Sequence, residues 1–60
     1  MSDYRKVYDP ETNQYLGLVF YDTIRGCWIA ENRRARSRGF NAEVWAEAWL
    51  MRQAERADAA

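Results

Sequence analysis

The chain has 60 residues, with nine basic against nine acidic side chains, no histidine and one cysteine. A chain this short buries only about 60% of the surface it exposes when unfolded, so it holds one small core and no inter-domain cleft, which excludes most enzyme architectures. The lone Cys27 and the lack of histidine also exclude an intramolecular disulfide and the usual zinc sites.

Stability must then come from apolar burial. A chain that is 48% hydrophobic, with three Trp, four Tyr and two Phe, has the material for it. No apolar run approaches the length of a membrane span, and Met1-Ser2-Asp3-Tyr4 lacks the basic-then-apolar layout of a signal peptide. The expectation is a soluble, cytoplasmic protein without a membrane partner, metal or cofactor.

Tyr4 to Tyr8 is short and rich in Tyr and Val, and Asp9-Pro10-Glu11-Thr12-Asn13 stops it with the residues of a type I turn. Gln14 to Tyr21 is the clearest strand, a β-branched and aromatic run closed by Asp22-Thr23-Ile24-Arg25-Gly26. Alternation separates Leu16, Leu18 and Phe20 from Tyr15, Val19 and Tyr21, and the first set is expected to form the core. Cys27 to Asn32 reads as a third strand. Ser37 to Phe40 reads as a short fourth, with Gly39 marking a bulge.

Asn41 has the chemistry of a helix N-cap, and Glu43 suits the positive end of the helix dipole. A helix over about 42–57 places Ala42, Trp45, Ala46, Trp49, Leu50 and Ala57 within an arc of about 140°. Trp45 and Trp49 are therefore expected to clamp helix to sheet. Val44, Ala48 and Met51 fall on the opposite side, as an Ala-rich surface or a partner-binding stripe. The sum is an α+β domain spanning 1–60, a three- to four-stranded antiparallel sheet packed against one C-terminal helix. One helix covers one side of the sheet, which leaves an aromatic-rich face holding Tyr15 and Tyr21 open.

Charge is unevenly placed. Residues 1–32 carry Asp3, Asp9, Glu11, Asp22 and Glu31 against Arg5, Lys6 and Arg25, while 33–41 hold Arg33, Arg34, Arg36 and Arg38 with no acid. Residues 42–60 return to a slight acidic excess. The arginine run reads either as a solvated hairpin that guards an edge strand or as a contact for an anionic partner.

Catalytic candidates are weak. Cys27 has no histidine to activate it, the pair Glu43 and Glu47 reads as a solvated helix face, and glycines 17, 26 and 39 have no phosphate-cradling spacing. No catalytic residue, small-molecule substrate or enzymatic activity is expected.

Trp28-Ile29-Ala30, the basic turn, Gly39-Phe40-Asn41, and then Glu43, Ala46, Ala48 and Trp49 together resemble the plant APETALA-type DNA-binding domain. They also resemble the related N-terminal domains of phage-type tyrosine integrases. The resemblance covers residues 15–57 and implies three strands packed on one helix, with the open sheet face in the DNA major groove. It implies DNA contacts from Arg25, Arg33, Arg36 and Arg38. In size and class the chain also looks like small phage accessory proteins, among them anti-CRISPR inhibitors.

Net neutrality and the lack of any basic residue in 15–21 favour the second likeness, because phosphate neutralisation needs an excess of Lys and Arg. The leading expectation is a phage-type inhibitor that binds a host protein or nucleoprotein complex such as a CRISPR effector. It would do so through Arg25, Arg33, Arg34, Arg36, Arg38, Tyr15 and Tyr21; duplex DNA is the alternative partner.

Overall fold

The computed structural model describes residues 4–59. It contains β1 (Tyr4–Tyr8), β2 (Tyr15–Asp22), β3 (Cys27–Glu31) and α1 (Glu43–Ala59), with an antiparallel sheet of order β1-β2-β3. This is the small α+β fold that the residue pattern predicts. Met1 to Asp3 and the side chain of Ala57 lie outside the described residues, so the N-terminal reading and the last member of the helical stripe have no structural counterpart.

The two hairpin turns share one chemistry. Asp9 Oδ1 accepts from the amides of Glu11 (2.8 Å) and Thr12 (3.3 Å), and its carbonyl accepts from Asn13 N–H (2.7 Å). Asp22 repeats the pattern, with Oδ1 accepting from Ile24 and Arg25 and its carbonyl from Gly26. Each turn closes on a residue with positive φ, Asn13 at 62° and Gly26 at 70°, the two residue types that enter this region most easily. Short-range aspartate bonding thus fixes both connections before any long-range packing is considered.

The core corrects the expected face of β2. Tyr8 pairs with Tyr15 but Val7 pairs with Gly17, so Leu16 is an extra residue on β2 and the register shifts there. A bulge of this kind reverses the alternation of the strand. Leu16 on one side of it and Val19 on the other therefore both join the core with Val7, Ala30, Ala46 and Leu50, and Val19 is only 1% exposed. Leu18 and Phe20, expected as core, are half-buried on the helix-free side. Gly17, at the bulge, faces Leu50 so closely that a Cβ there would lie 2.8 Å from Leu50 Cδ2.

The expected fourth strand is reduced to two bridges, Trp28 with Phe40 and Glu31 with Arg36. Two residues of β3 separate these bridges while three separate them on the returning segment, so a bulge lies within residues 37–39. Ser37 repairs the ladder there. Its N–H donates to the Ala30 carbonyl (2.8 Å), its Oγ accepts from Ala30 N–H (2.9 Å), and the hydroxyl donates to the Arg38 carbonyl (2.8 Å). Ser37 is buried, and the side chain stands in for a backbone acceptor that the bulge has displaced. Gly39 lies against Cys27, whose half-buried Sγ occupies the position a Cβ at residue 39 would need. Ile29, whose face the alternation of β3 leaves open, is buried; it pairs with Phe20 on one side and is flanked by the returning segment on the other.

Helix α1 starts at Glu43, one residue later than expected. Asn41 is not the residue that flanks it: the bond at the entry runs from Trp45 N–H to the Ala42 carbonyl (3.2 Å). Its buried stripe centres on Ala46 and Leu50, with Trp49, Met51 and Ala54 packed at the margins. Trp45 is 57% exposed and clamps nothing; Trp49 alone keeps the anchoring role. Ala30 and Ala46, both wholly buried, let the backbones approach, so the helix rides low over β2 and β3 and bulky Trp45 is left at the rim. Met51, expected on the outer stripe, packs against the core, whereas Val44 is exposed. No helix among the described residues is long and apolar enough to cross a membrane.

Candidate functional site

The acidic residues are largely engaged in holding the fold. Asp9 and Asp22 close the two hairpin turns. Arg5 Nε donates to Glu43 Oε2 at 3.2 Å and its terminal amino group bonds Glu47, so one guanidinium on β1 grips two carboxylates one helical turn apart. The bond to Glu47 raises the Arg5 pKa above its ordinary value; partial desolvation opposes this and Glu43 adds to it. Glu43 and Glu47, expected to be merely solvated, therefore tie α1 to the β1 edge. Arg36 bonds Glu31 at 3.1 Å, and Arg25 lies 3.8 Å from Asp22.

The arginines divide differently. Among the described residues Arg33, Arg34, Arg38, Arg52 and Arg56 pair with no carboxylate. All five line the flank between α1 and the 33–40 segment. On the helix, Trp45, Trp49, Arg52, Gln53 and Arg56 fall within an arc of about 100°, which turns them to the same side. Formal neutrality therefore conceals a polarised surface, cationic along this flank and balanced along the β1 side.

The flank contains two open grooves. The larger, about 340 Å³, lies over the C-terminal half of α1; Leu16, Leu50 and Ala54 supply apolar lining, and Tyr15, Arg33, Arg34 and Arg56 the aromatic and charged groups. The smaller, about 230 Å³, lies beside the N-terminal half of α1, where Arg38 and Arg52 meet Phe40, Trp45 and Trp49. The Arg38 guanidinium carbon sits 5.8 Å from the centre of the Phe40 ring, within cation–π range. Among the described residues no acidic side chain lines either groove.

The loop that carries Arg33 and Arg34 is held by a third side-chain-capped turn. Asn32 Oδ1 accepts from the amides of Arg34 and Ala35, both at 2.8 Å, and Asn32 N–H donates to the Ala35 carbonyl at 3.0 Å. The two guanidinium groups thus project from an ordered tip beside exposed Tyr15.

Of the residues singled out in the sequence, Tyr15, Arg33 and Arg34 come together in the larger groove, and Arg38 lies in the smaller one. Arg36 does not join them. Its guanidinium carbon is 5.8 Å from the Phe20 ring centre on the helix-free face, with Glu31 as partner. Tyr21 stacks edge-on against Trp28, centroids 5.4 Å apart, and Arg25 stays at the β2–β3 turn beside its Asp22. The expected single patch of loop arginines with Tyr15 and Tyr21 does not form, because the bulge at Leu16 separates the two tyrosines and Arg36 turns to the helix-free face.

Sequence reasoning missed Arg52, Arg56 and the exposed role of Trp45. Their shared helical arc is a signal in the sequence, but it overlaps the apolar arc that hydrophobicity places in the core. Arg5 with Glu43 and Glu47 carried no local signal, being 38 and 42 residues apart.

Chemically, the flank can attract polyanions and stack planar groups. Among the described residues no cluster of three side chains could hold a metal ion. No protein-family model, curated protein or solved structure matches this chain.

Proposed function

We propose that the protein is a non-enzymatic phage-type inhibitor or adaptor that docks on a host protein or nucleoprotein complex through the flank between α1 and residues 33–40. A CRISPR effector is the most concrete target of that class. The observation that carries this reading is the collection of five carboxylate-free arginines around exposed Tyr15 and Trp45. Arginine and large aromatics dominate binding energy at interfaces, and a cationic patch speeds encounter with an anionic surface.

Duplex DNA bound through the open sheet face has less support. Of Arg25, Arg33, Arg36 and Arg38, only Arg36 lies over that face, and Glu31 already engages it.

The test is plaquing efficiency of a phage on a host with an active CRISPR system, together with pull-down of the effector complex, for wild type, Arg33→Glu/Arg34→Glu and Arg25→Glu. The double reversal should lose both protection and capture with an unchanged melting temperature, while Arg25→Glu keeps both. Full protection by the double reversal would remove the flank from the docking reading.

A further inference from the structure

The composition of the flank says more about its occupant than that it is anionic. Each groove combines a pair or more of arginines with an exposed aromatic ring: Tyr15 beside Arg33, Arg34 and Arg56, and Trp45 beside Arg38 and Arg52. Tyr15 is 44% exposed and Trp45 is 57% exposed, so both rings present accessible surface. An acidic protein surface can bury such rings, but it does not set a planar group over each of two separated rings with a line of anions between them. A rigid duplex keeps its bases stacked inside and offers those rings nothing planar to cover. A single strand offers both elements at once, a phosphate line and free base faces, and alternation of cations with stacking platforms is the arrangement that such strands bind.

The dimensions agree. Trp45 and Arg56 are eleven residues apart on one helical arc, roughly 16 Å along the axis, which gives a linear track rather than a point contact. Along that track the opposing wall is the 33–40 segment, whose Asn32-capped tip and Ser37-tethered middle hold the arginines in an ordered row.

We infer that the flank between α1 and residues 33–40 takes single-stranded nucleic acid, with Trp45 and Tyr15 as stacking platforms and Arg33, Arg34, Arg38, Arg52 and Arg56 along the phosphates. The inference rests on the reading of this flank as the binding surface, and it names the component of a nucleoprotein complex that the protein would occupy.

Fluorescence anisotropy with a fluorescein-labelled oligothymidylate tests it, with a duplex of equal length and labelled polyglutamate as comparison probes. The single strand should bind more tightly than either, with affinity falling with salt along a log–log slope no steeper than roughly −3.5 if all five arginines engage. Trp45→Ala should weaken binding roughly 5- to 140-fold at unchanged melting temperature, Trp45→Phe should retain most of the affinity, and Arg33→Glu/Arg34→Glu should abolish it.

Equal or tighter binding of duplex or polyglutamate, or an unchanged affinity for Trp45→Ala, overturns the inference. Effector capture from a lysate not treated with nuclease, set beside strand binding by anisotropy, separates the two readings. Capture without strand binding leaves docking standing and sinks the single-strand assignment. Strand binding without capture does the reverse.

Discussion

Leu50 Cδ2 occupies space that only a glycine at position 17 leaves open: a Cβ on residue 17 would lie 2.8 Å from it and would also overlap the Glu31 carbonyl oxygen. The helix is seated by this contact, with the wholly buried Ala30 and Ala46 allowing the same close approach nearby. Gly17→Ala should therefore cost about 1 to 3 kcal/mol through forced displacement of α1, read as a large fall in melting temperature by circular dichroism. A variant as stable as wild type would mean that the helix can lift off the bulge without loss.

The two helix tryptophans should behave oppositely. Trp49→Ala removes an aromatic packed on the core and should cost about 3 kcal/mol, a large share of the stability of a domain this small. Trp45→Ala should stay within about 0.5 kcal/mol of wild type, as expected at a surface position. Urea titrations of both variants, followed by far-ultraviolet circular dichroism, check the contrast.

Ser37→Ala removes the acceptor that satisfies the buried Ala30 amide. An unsatisfied buried donor costs about 1 to 3 kcal/mol, so this deletion of one oxygen should destabilise more than removal of either arginine beside it. Hydrogen exchange at the Ala30 amide gives a local readout: protection there should fall further than at Val19.

Arg5→Ala breaks two partly exposed ion pairs and should cost about 1 kcal/mol at low salt, since exposed pairs contribute little each. The raised Arg5 pKa means that this contribution is complete below the ordinary guanidinium range and is lost only as pH climbs through the still higher folded value. Arg5 therefore adds no pH dependence of its own near neutrality, and salt is the useful variable. The gap in melting temperature between wild type and Arg5→Ala should close as sodium chloride is raised.

The strands, the helix and both turns were legible because each rests on short-range chemistry. Asp9 and Asp22 bond amides two and three residues on, and the aromatic and β-branched run at 15–21 has no competing periodicity. The core face of β2 was not legible. One inserted residue, Leu16, inverts alternation, and nothing local in Gln14-Tyr15-Leu16-Gly17 announces a bulge except the glycine itself. The helix face was misread for a related reason. Hydrophobicity puts Trp45 inside, but the close seat made by Gly17, Ala30 and Ala46 leaves no volume for it. For the candidate site, the run of arginines at 33–38 was visible and its division was not, because Arg36 turns to Glu31 and Phe20 while its neighbours face the helix. Net charge misled most, since a sum cannot show that Asp9, Asp22, Glu31, Glu43 and Glu47 are engaged elsewhere.

That engagement separates two kinds of sequence change. A substitution at Glu43 or Asp22 alters how the chain folds, whereas one at Arg34, Arg52 or Arg56 alters only the field that the finished surface projects. The flank can be retuned in strength, or even in sign, one arginine at a time while turns and core stay as they are. The charge of this flank is thus a variable that mutation can explore at nearly constant stability, and a library randomised at 33, 34, 38, 52 and 56 should yield mostly folded members.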